Sequence, residues 1–215
     1  MNFIKRLLSS IILVPLILFI ILKGSYVFNI FIIIIFTIIC FEWQRLNTGK
    51  FYNTVGFIFL FFSLMSIYIL RNDLDNGDKL LILIISICIF TDIGGYVFGK
   101  IFKGPKLTKI SPNKTIIGMV GSFLLPIIST FILQKYNVLI SITNNSFSEL
   151  LIFIFLISLV SQIGDLIISY FKRLSNVKDT GNIIPGHGGI LDRVDGMVFV
   201  FPFTFICKNT FLFNF

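Results

Sequence analysis

Seven long apolar runs, joined by short polar connectors, leave this chain few ways to fold. They cover Leu7–Leu22, Tyr26–Phe41, Val55–Leu70, Leu80–Phe98, Ile116–Leu133, Leu150–Phe171 and Ile190–Cys207. A helix that crosses the hydrocarbon of a bilayer needs about 20 mostly apolar residues. Backbone polar groups in lipid must be satisfied inside the segment, which makes each run a helix. The expected fold is therefore all-α, a polytopic transmembrane bundle of about seven spans. Composition agrees: 56% of the 215 residues are hydrophobic and 13% are charged, more apolar surface than a soluble domain of this size can hide. Met1 to Arg6 followed by an apolar run could mimic a signal peptide, but no small-residue cleavage site follows, so the run is read as a retained helix. No internal repeat is visible, which weighs against the inverted-repeat transporters.

Orientation follows from the basic residues. With the N-terminus inside, Lys5, Arg6, Arg45, Lys50, Lys100, Lys103, Lys106, Lys109, Lys114, Lys172, Arg173, Lys178 and Arg193 fall on the cytoplasmic side. Lys23, Arg71, Lys79, Lys135 and Lys208 fall on the other, so the split is thirteen to five. That asymmetry places the N-terminus in and the C-terminus out. The net charge of +8 is then explained by cytoplasmic loops and anionic headgroups, with no nucleic acid as partner. Cys40, Cys88 and Cys207 are far apart in or beside apolar runs and read as small buried hydrophobes.

Four places could carry chemistry. Asp92 lies inside the fourth run; a carboxylate there costs at least ~2.5 kcal/mol and should face the bundle interior or a wet cavity. Tyr96 and Gly99 follow it at i+4 and i+7, and the Gly95 and Gly99 pair allows close helix contact, within the chain or in a homodimer. Ser111 and Lys114, in a basic loop before Gly118, could hold anionic oxygens or serve only as an orientation signal. Asp165, Ser169 and Lys172 share one helical face, with Arg173 close to it; this suits either a structural ion pair or a metal beside phosphates. In PGHGGILDRVD, Gly186, Gly188 and Gly189 let backbone approach a phosphate, and Asp192 and Asp195 sit at i and i+3. Magnesium typically takes one or two protein carboxylates and completes its shell with water and phosphate. His187, the only histidine, cannot build a multi-histidine zinc site.

Ser169, Lys172, Arg173, Lys178, Asp179, His187, Gly188, Gly189, Asp192, Arg193 and Asp195 together resemble the long signature of the phosphatidate cytidylyltransferase (CDP-diacylglycerol synthase) family, bacterial branch. The segment from Asp92 to Gly99 and the segment from Ser111 to Gly118 resemble two further blocks of that family. Ile117 stands where the family has glutamate, and Gly196 where it commonly has serine. The resemblance implies transfer of a cytidylyl group from CTP to phosphatidic acid, giving CDP-diacylglycerol and pyrophosphate at the cytoplasmic face of a bacterial inner membrane, among membrane lipids. It implies Mg2+, with two divalent ions held by Asp165 and Asp192 and by Asp195 and Asp92 as helpers. Lys172, Arg173, Lys178 and Arg193 would hold phosphates, and His187 would orient the glycine loop. Ser111, Lys114, Ser169, Gly188, Gly189 and Tyr96 would contact nucleotide or lipid headgroup. On this reading residues 1–75 are N-terminal transmembrane helices and residues 76–215 a catalytic bundle. The rivals are an ion-coupled transporter, using Asp92 and Asp165 as an ion path, and a CTP-dependent polyprenol kinase.

Overall fold

The computed structural model describes residues 15–46, 49–106, 114–135, 147–183 and 188–208. Among them eight helices follow one another: α1 (residues 15–23), α2 (Ser25–Arg45), α3 (Lys50–Asn72), α4 (Gly77–Phe102), α5 (Ile116–Lys135), α6 (Phe147–Leu174), α7 (Leu191–Val194) and α8 (Met197–Lys208). An isolated bridge of extended backbone between Lys106 and Thr115 ties the end of α4 to the start of α5.

Five helices, α2 to α6, are long and apolar enough to cross a bilayer. The all-α polytopic bundle is as expected, and five long spans among the described residues are compatible with a count of about seven. The first run is described only from residue 15, and the last, expected as one helix over Ile190–Cys207, is broken into α7 and α8. Asp195 supplies the reason: its Oδ1 accepts a hydrogen bond from the amide of Gly196 at 2.9 Å, a local contact that competes with helix continuation. Among the described residues α8 has 12, which rise about 18 Å against the ~30 Å hydrocarbon core. The five long helices overrun their apolar stretches by a few residues; α2 reaches Arg45 and α6 reaches Leu174.

Small residues decide which helices touch. α4 and α5 approach so closely that a Cβ on Gly94 would strike the carbonyl of Gly121, and one on Gly118 would lie 2.7 Å from the carbonyl oxygen of Gly95. Gly95 and Gly99 are therefore used inside the chain, against Ser122 and Thr115 of the α5 side. α6 and α8 meet in the same manner, with Gly164 under Phe199 and Gly196 against Ser161. Between these contacts lies a core of Phe28, Leu81, Ile84, Ile87, Phe153, Ile154, Ile157 and Val200. A second apolar cluster, including Trp43, Leu46, Ile168, Leu191 and Val198, lies toward the other end. Apolar side chains left exposed on α2, α3, α5 and α6, such as Ile30, Ile58, Ile128 and Ile152, form the surface that lipid would cover.

The ends of the bundle are distinct. At one, Arg71 Nε donates to the carbonyl of Ile21 at 2.9 Å and Asn72 reaches Asn29 at 3.2 Å. Antiparallel succession brings the last turns of α2, α4 and α6 to the opposite end. There the polar loops gather.

Candidate active site

Two lysine–carboxylate pairs define that polar end. Lys114, just before α5, forms an ion pair with Asp165 of α6. Lys172, in the last turn of α6, holds Asp192 Oδ1 of α7 at 2.9 Å. The second pair is nearly dry, with side-chain exposures of 11% for Lys172 and 4% for Asp192. Ser169 Oγ donates to Asp165 Oδ1 at 3.2 Å, the i to i+4 contact that one helical face allows.

Asp192 organises the loop around it. Its Oδ2 accepts from the amides of Thr180 (2.8 Å) and Gly189 (3.0 Å). Gly188 adopts φ +87°, and a Cβ there would lie 3.0 Å from that same Oδ2, so a side chain would press on the carboxylate. Asp192 lies ahead of the last helix, outside the five long spans. Burial opposes its ionisation, but Lys172 and the two amides outweigh that and hold its carboxyl below the usual carboxylate range.

Two further carboxylates join Asp165. The side chains of Asp165 and Asp195 are within hydrogen-bonding reach of each other, and Asp92 on α4 feels the charges of Asp165, Lys114 and Arg193. Carboxyl groups so placed repel unless a proton or a cation stands between them. Asp92 itself is exposed, as is Arg193. Among the described residues no three His, Cys, Asp or Glu side chains are close enough to hold a metal by themselves. Magnesium typically takes one or two protein carboxylates and leaves the rest of its shell to water and phosphate.

The remaining predicted residues fall less centrally. Tyr96 is 66% exposed, and its hydroxyl accepts from Lys100 Nζ at 3.3 Å, one turn along α4. Arg173 is exposed and donates to the carbonyl of Val177 at 3.3 Å; Lys178 is exposed on the same loop. Ser111 and His187 lie outside the described residues. Ile117, in the place of the family's glutamate, packs its side chain toward Gly104, where a Cβ would lie 2.9 Å from Ile117 Cγ1.

Sequence reasoning missed Glu42. This α2 residue is 1% exposed and receives three hydrogen bonds from the loop that carries Asp192. Leu191 N donates to Oε2 at 2.7 Å, Ile190 N to Oε1 at 2.9 Å, and Thr180 Oγ1 to Oε2 at 3.0 Å. Its signal was available: it is the sole acidic residue before Asp73 and stands at the polar end of an otherwise apolar run.

A family model described as "Cytidylyltransferase family" matches residues 50–211. The phosphatidate cytidylyltransferase of Rickettsia conorii is 35% identical over 216 residues, covering 96% of this chain and 91% of that protein. The enzyme of the same name from Rickettsia bellii is 36% identical, covering 98% and 93%. The one from Staphylococcus epidermidis is 42% identical over 128 residues, covering 59% and 48%.

Proposed function

The chain belongs to the cytidylyltransferase family, and from that membership we infer that it makes CDP-diacylglycerol from CTP and phosphatidate. It is a nucleotidyltransferase and a multi-pass membrane protein, which removes the transporter alternative. A phosphate oxygen of phosphatidate attacks the α-phosphorus of CTP, a new P–O–P bond forms, and the bond to the β-phosphate breaks to release pyrophosphate. The nucleophile arrives as an anion, so no strong base is needed. The demand is alignment and charge neutralisation.

The observation that carries this reading is the placement of Asp165 and Asp192, from two different helices, each already matched with a lysine at one end of the bundle. A magnesium–triphosphate complex carries both signs of charge and can exchange partners with both pairs, metal to carboxylate and phosphate to ammonium. Asp165 and Asp192, with Asp195 and Asp92 beside Asp165, are the residues that would hold one or two Mg2+ ions. The metal supplies neutralisation of charge on the phosphates. Lys114 and Lys172 then neutralise the triphosphate or the headgroup, and exposed Arg173, Lys178 and Arg193 collect it from solution. We place the site at the cytoplasmic face of a bacterial inner membrane, with phosphatidate entering laterally between helices. A homodimer would need a surface other than Gly95 and Gly99, which α5 already covers.

The test is incubation of purified protein in detergent with labelled CTP, phosphatidate and magnesium. A lipid-soluble cytidine product is expected. Labelled phosphate passing to a polyprenol, with phosphatidate inert, would instead identify the kinase.

A further inference from the structure

Three successive amides at the start of α7 point at carboxylates: Gly189 N at Asp192, and Ile190 N and Leu191 N at Glu42. Thr180 joins the two acids, giving its amide to Asp192 and its hydroxyl to Glu42. Helix starts normally leave such amides unsatisfied, and a buried carboxylate without donors is severely penalised. Here each requirement meets the other. Glu42 comes from α2, separated from its partners by 138 to 149 residues of sequence, and it lies before the stretch that the family model matches.

The glycines around it show how closely the loop is fitted to this side chain. A Cβ on Gly181 would lie 2.8 Å from Glu42 Oε1, and one on Gly189 would lie 2.6 Å from Glu42 Oε2. At Gly181 the nearest atoms all belong to Glu42. The neighbouring Trp43 keeps the end of α2 in register: its Nε1 donates to the carbonyl of Asn53 at 3.3 Å and its ring meets Phe171 edge-on at 5.1 Å.

We propose that Glu42 is a positioning residue for nucleotidyl transfer: it ties Thr180 to Ile190 and Leu191 and so holds Asp192 against Lys172 in the geometry the reaction uses. This rests on the reaction proposed above. Glutamine at position 42 keeps the volume but replaces one acceptor oxygen with a donor NH2, which must face an N–H or O–H already donating. The loop then relaxes while the helices keep their packing.

The experiment compares wild type, Glu42→Gln, Gly181→Ala, and Glu42→Ala with and without Gly181→Ala, all purified in detergent. Initial rates are read against CTP, phosphatidate and magnesium, with thermal unfolding alongside. Loss of an outer partner of a metal-binding group usually costs about 10- to 100-fold in activity or metal affinity. Glu42→Gln is expected to lower kcat within that range and to raise the magnesium concentration for half-maximal rate, with KM for phosphatidate changed less than twofold. Gly181→Ala is expected to lower kcat in wild type but to add nothing in the Glu42→Ala background, because the clash is with Glu42 itself. A folded Glu42→Gln protein with wild-type kcat and magnesium dependence overturns the inference, as do fully additive effects of the two alanine changes. If Glu42→Gln does not fold, Thr180→Val decides: a lower kcat with a higher magnesium concentration for half-maximal rate supports the clamp, and unchanged values overturn it. A wild-type protein that makes no cytidine lipid overturns the reaction itself, and the clamp's role in it.

Discussion

At the scale of single residues, the site is a set of charges neutralised in pairs. Asp192→Asn keeps shape but removes the charge that Lys172, Thr180 and Gly189 are arranged around. Turnover with CTP and phosphatidate should fall by at least about 100-fold, as in loss of a charge-stabilising group. The protein should still insert in the membrane. Asp165→Asn should do the same; near-normal rates in either variant would remove that residue from the chemistry and with it the shared metal assignment. The pH dependence has a definite sign. The folded-state pKa of Asp192 is depressed, so its ionisation stabilises the fold fully above its unfolded value of ~3.9 and loses that effect as pH falls through the lower folded value. The melting-temperature gap between wild type and Asp192→Asn should therefore be flat from neutral pH down to about 4 and close only below it. Much of this site was legible in the chain. Asp165 and Ser169 are four apart on one helical face and bond, and Lys172 and Asp192 belong to the same dense signature. The partnership of Glu42 and Thr180 was not legible. Glu42 stands out as the sole acid before Asp73, but nothing near it names a partner; Thr180 occupies an unspecified position between Asp179 and Gly181, and only the folded chain brings them together.

At the scale of elements, hydrophobic length located the helices, and small residues determined which of them meet. Runs of apolar residues marked α2 to α6, but their ends could not be read because polar residues such as Arg45 and Lys135 continue the helix beyond the hydrocarbon. The break before α8 escaped notice because Asp195 and Gly196 lie within a segment apolar enough to read as continuous. Gly196 has a packing role: a Cβ there would lie 2.7 Å from the carbonyl oxygen of Ser161, so the serine common in the family requires α6 and α8 to separate. The α4–α5 contact is tighter still. Gly94→Val would drive a branched side chain into the carbonyl of Gly121, and overpacking of this kind typically costs 1–3 kcal/mol, roughly, before the helices shift. A lowered unfolding temperature in detergent is expected, with loss of activity following loss of folded protein. Gly49→Ala, which has nothing within 4 Å but sits at φ +101°, should suffer only a modest backbone penalty and serves as the comparison. Equal melting temperatures for Gly94→Val and wild type would contradict the close approach.

At the scale of the whole molecule, charge asymmetry and site position make one claim about sidedness. The helices alternate so that Glu42, Lys114, Lys172 and Asp192 collect at one end, while Arg71, Asn72 and Asp73 stand at the other. The basic residues assigned to the first end outnumber those at the other by thirteen to five, and on that asymmetry we propose that the first end faces the cytoplasm. CTP is a cytoplasmic solute with several negative charges and has no route through hydrocarbon, so a site on the opposite face would starve. Phosphatidate, by contrast, is already in the bilayer and needs only to reach headgroup depth. Single-cysteine reporters at Asn176 and Asp73, both exposed, can read the orientation with a membrane-impermeant thiol reagent. Cys88 and Cys207 are buried and Cys40 is half-buried, so replacing the three with alanine supplies a clean background. Asn176→Cys should label in inside-out vesicles and stay protected in intact cells, and Asp73→Cys should do the opposite. The reverse pattern would turn the molecule over and deny the loop its nucleotide.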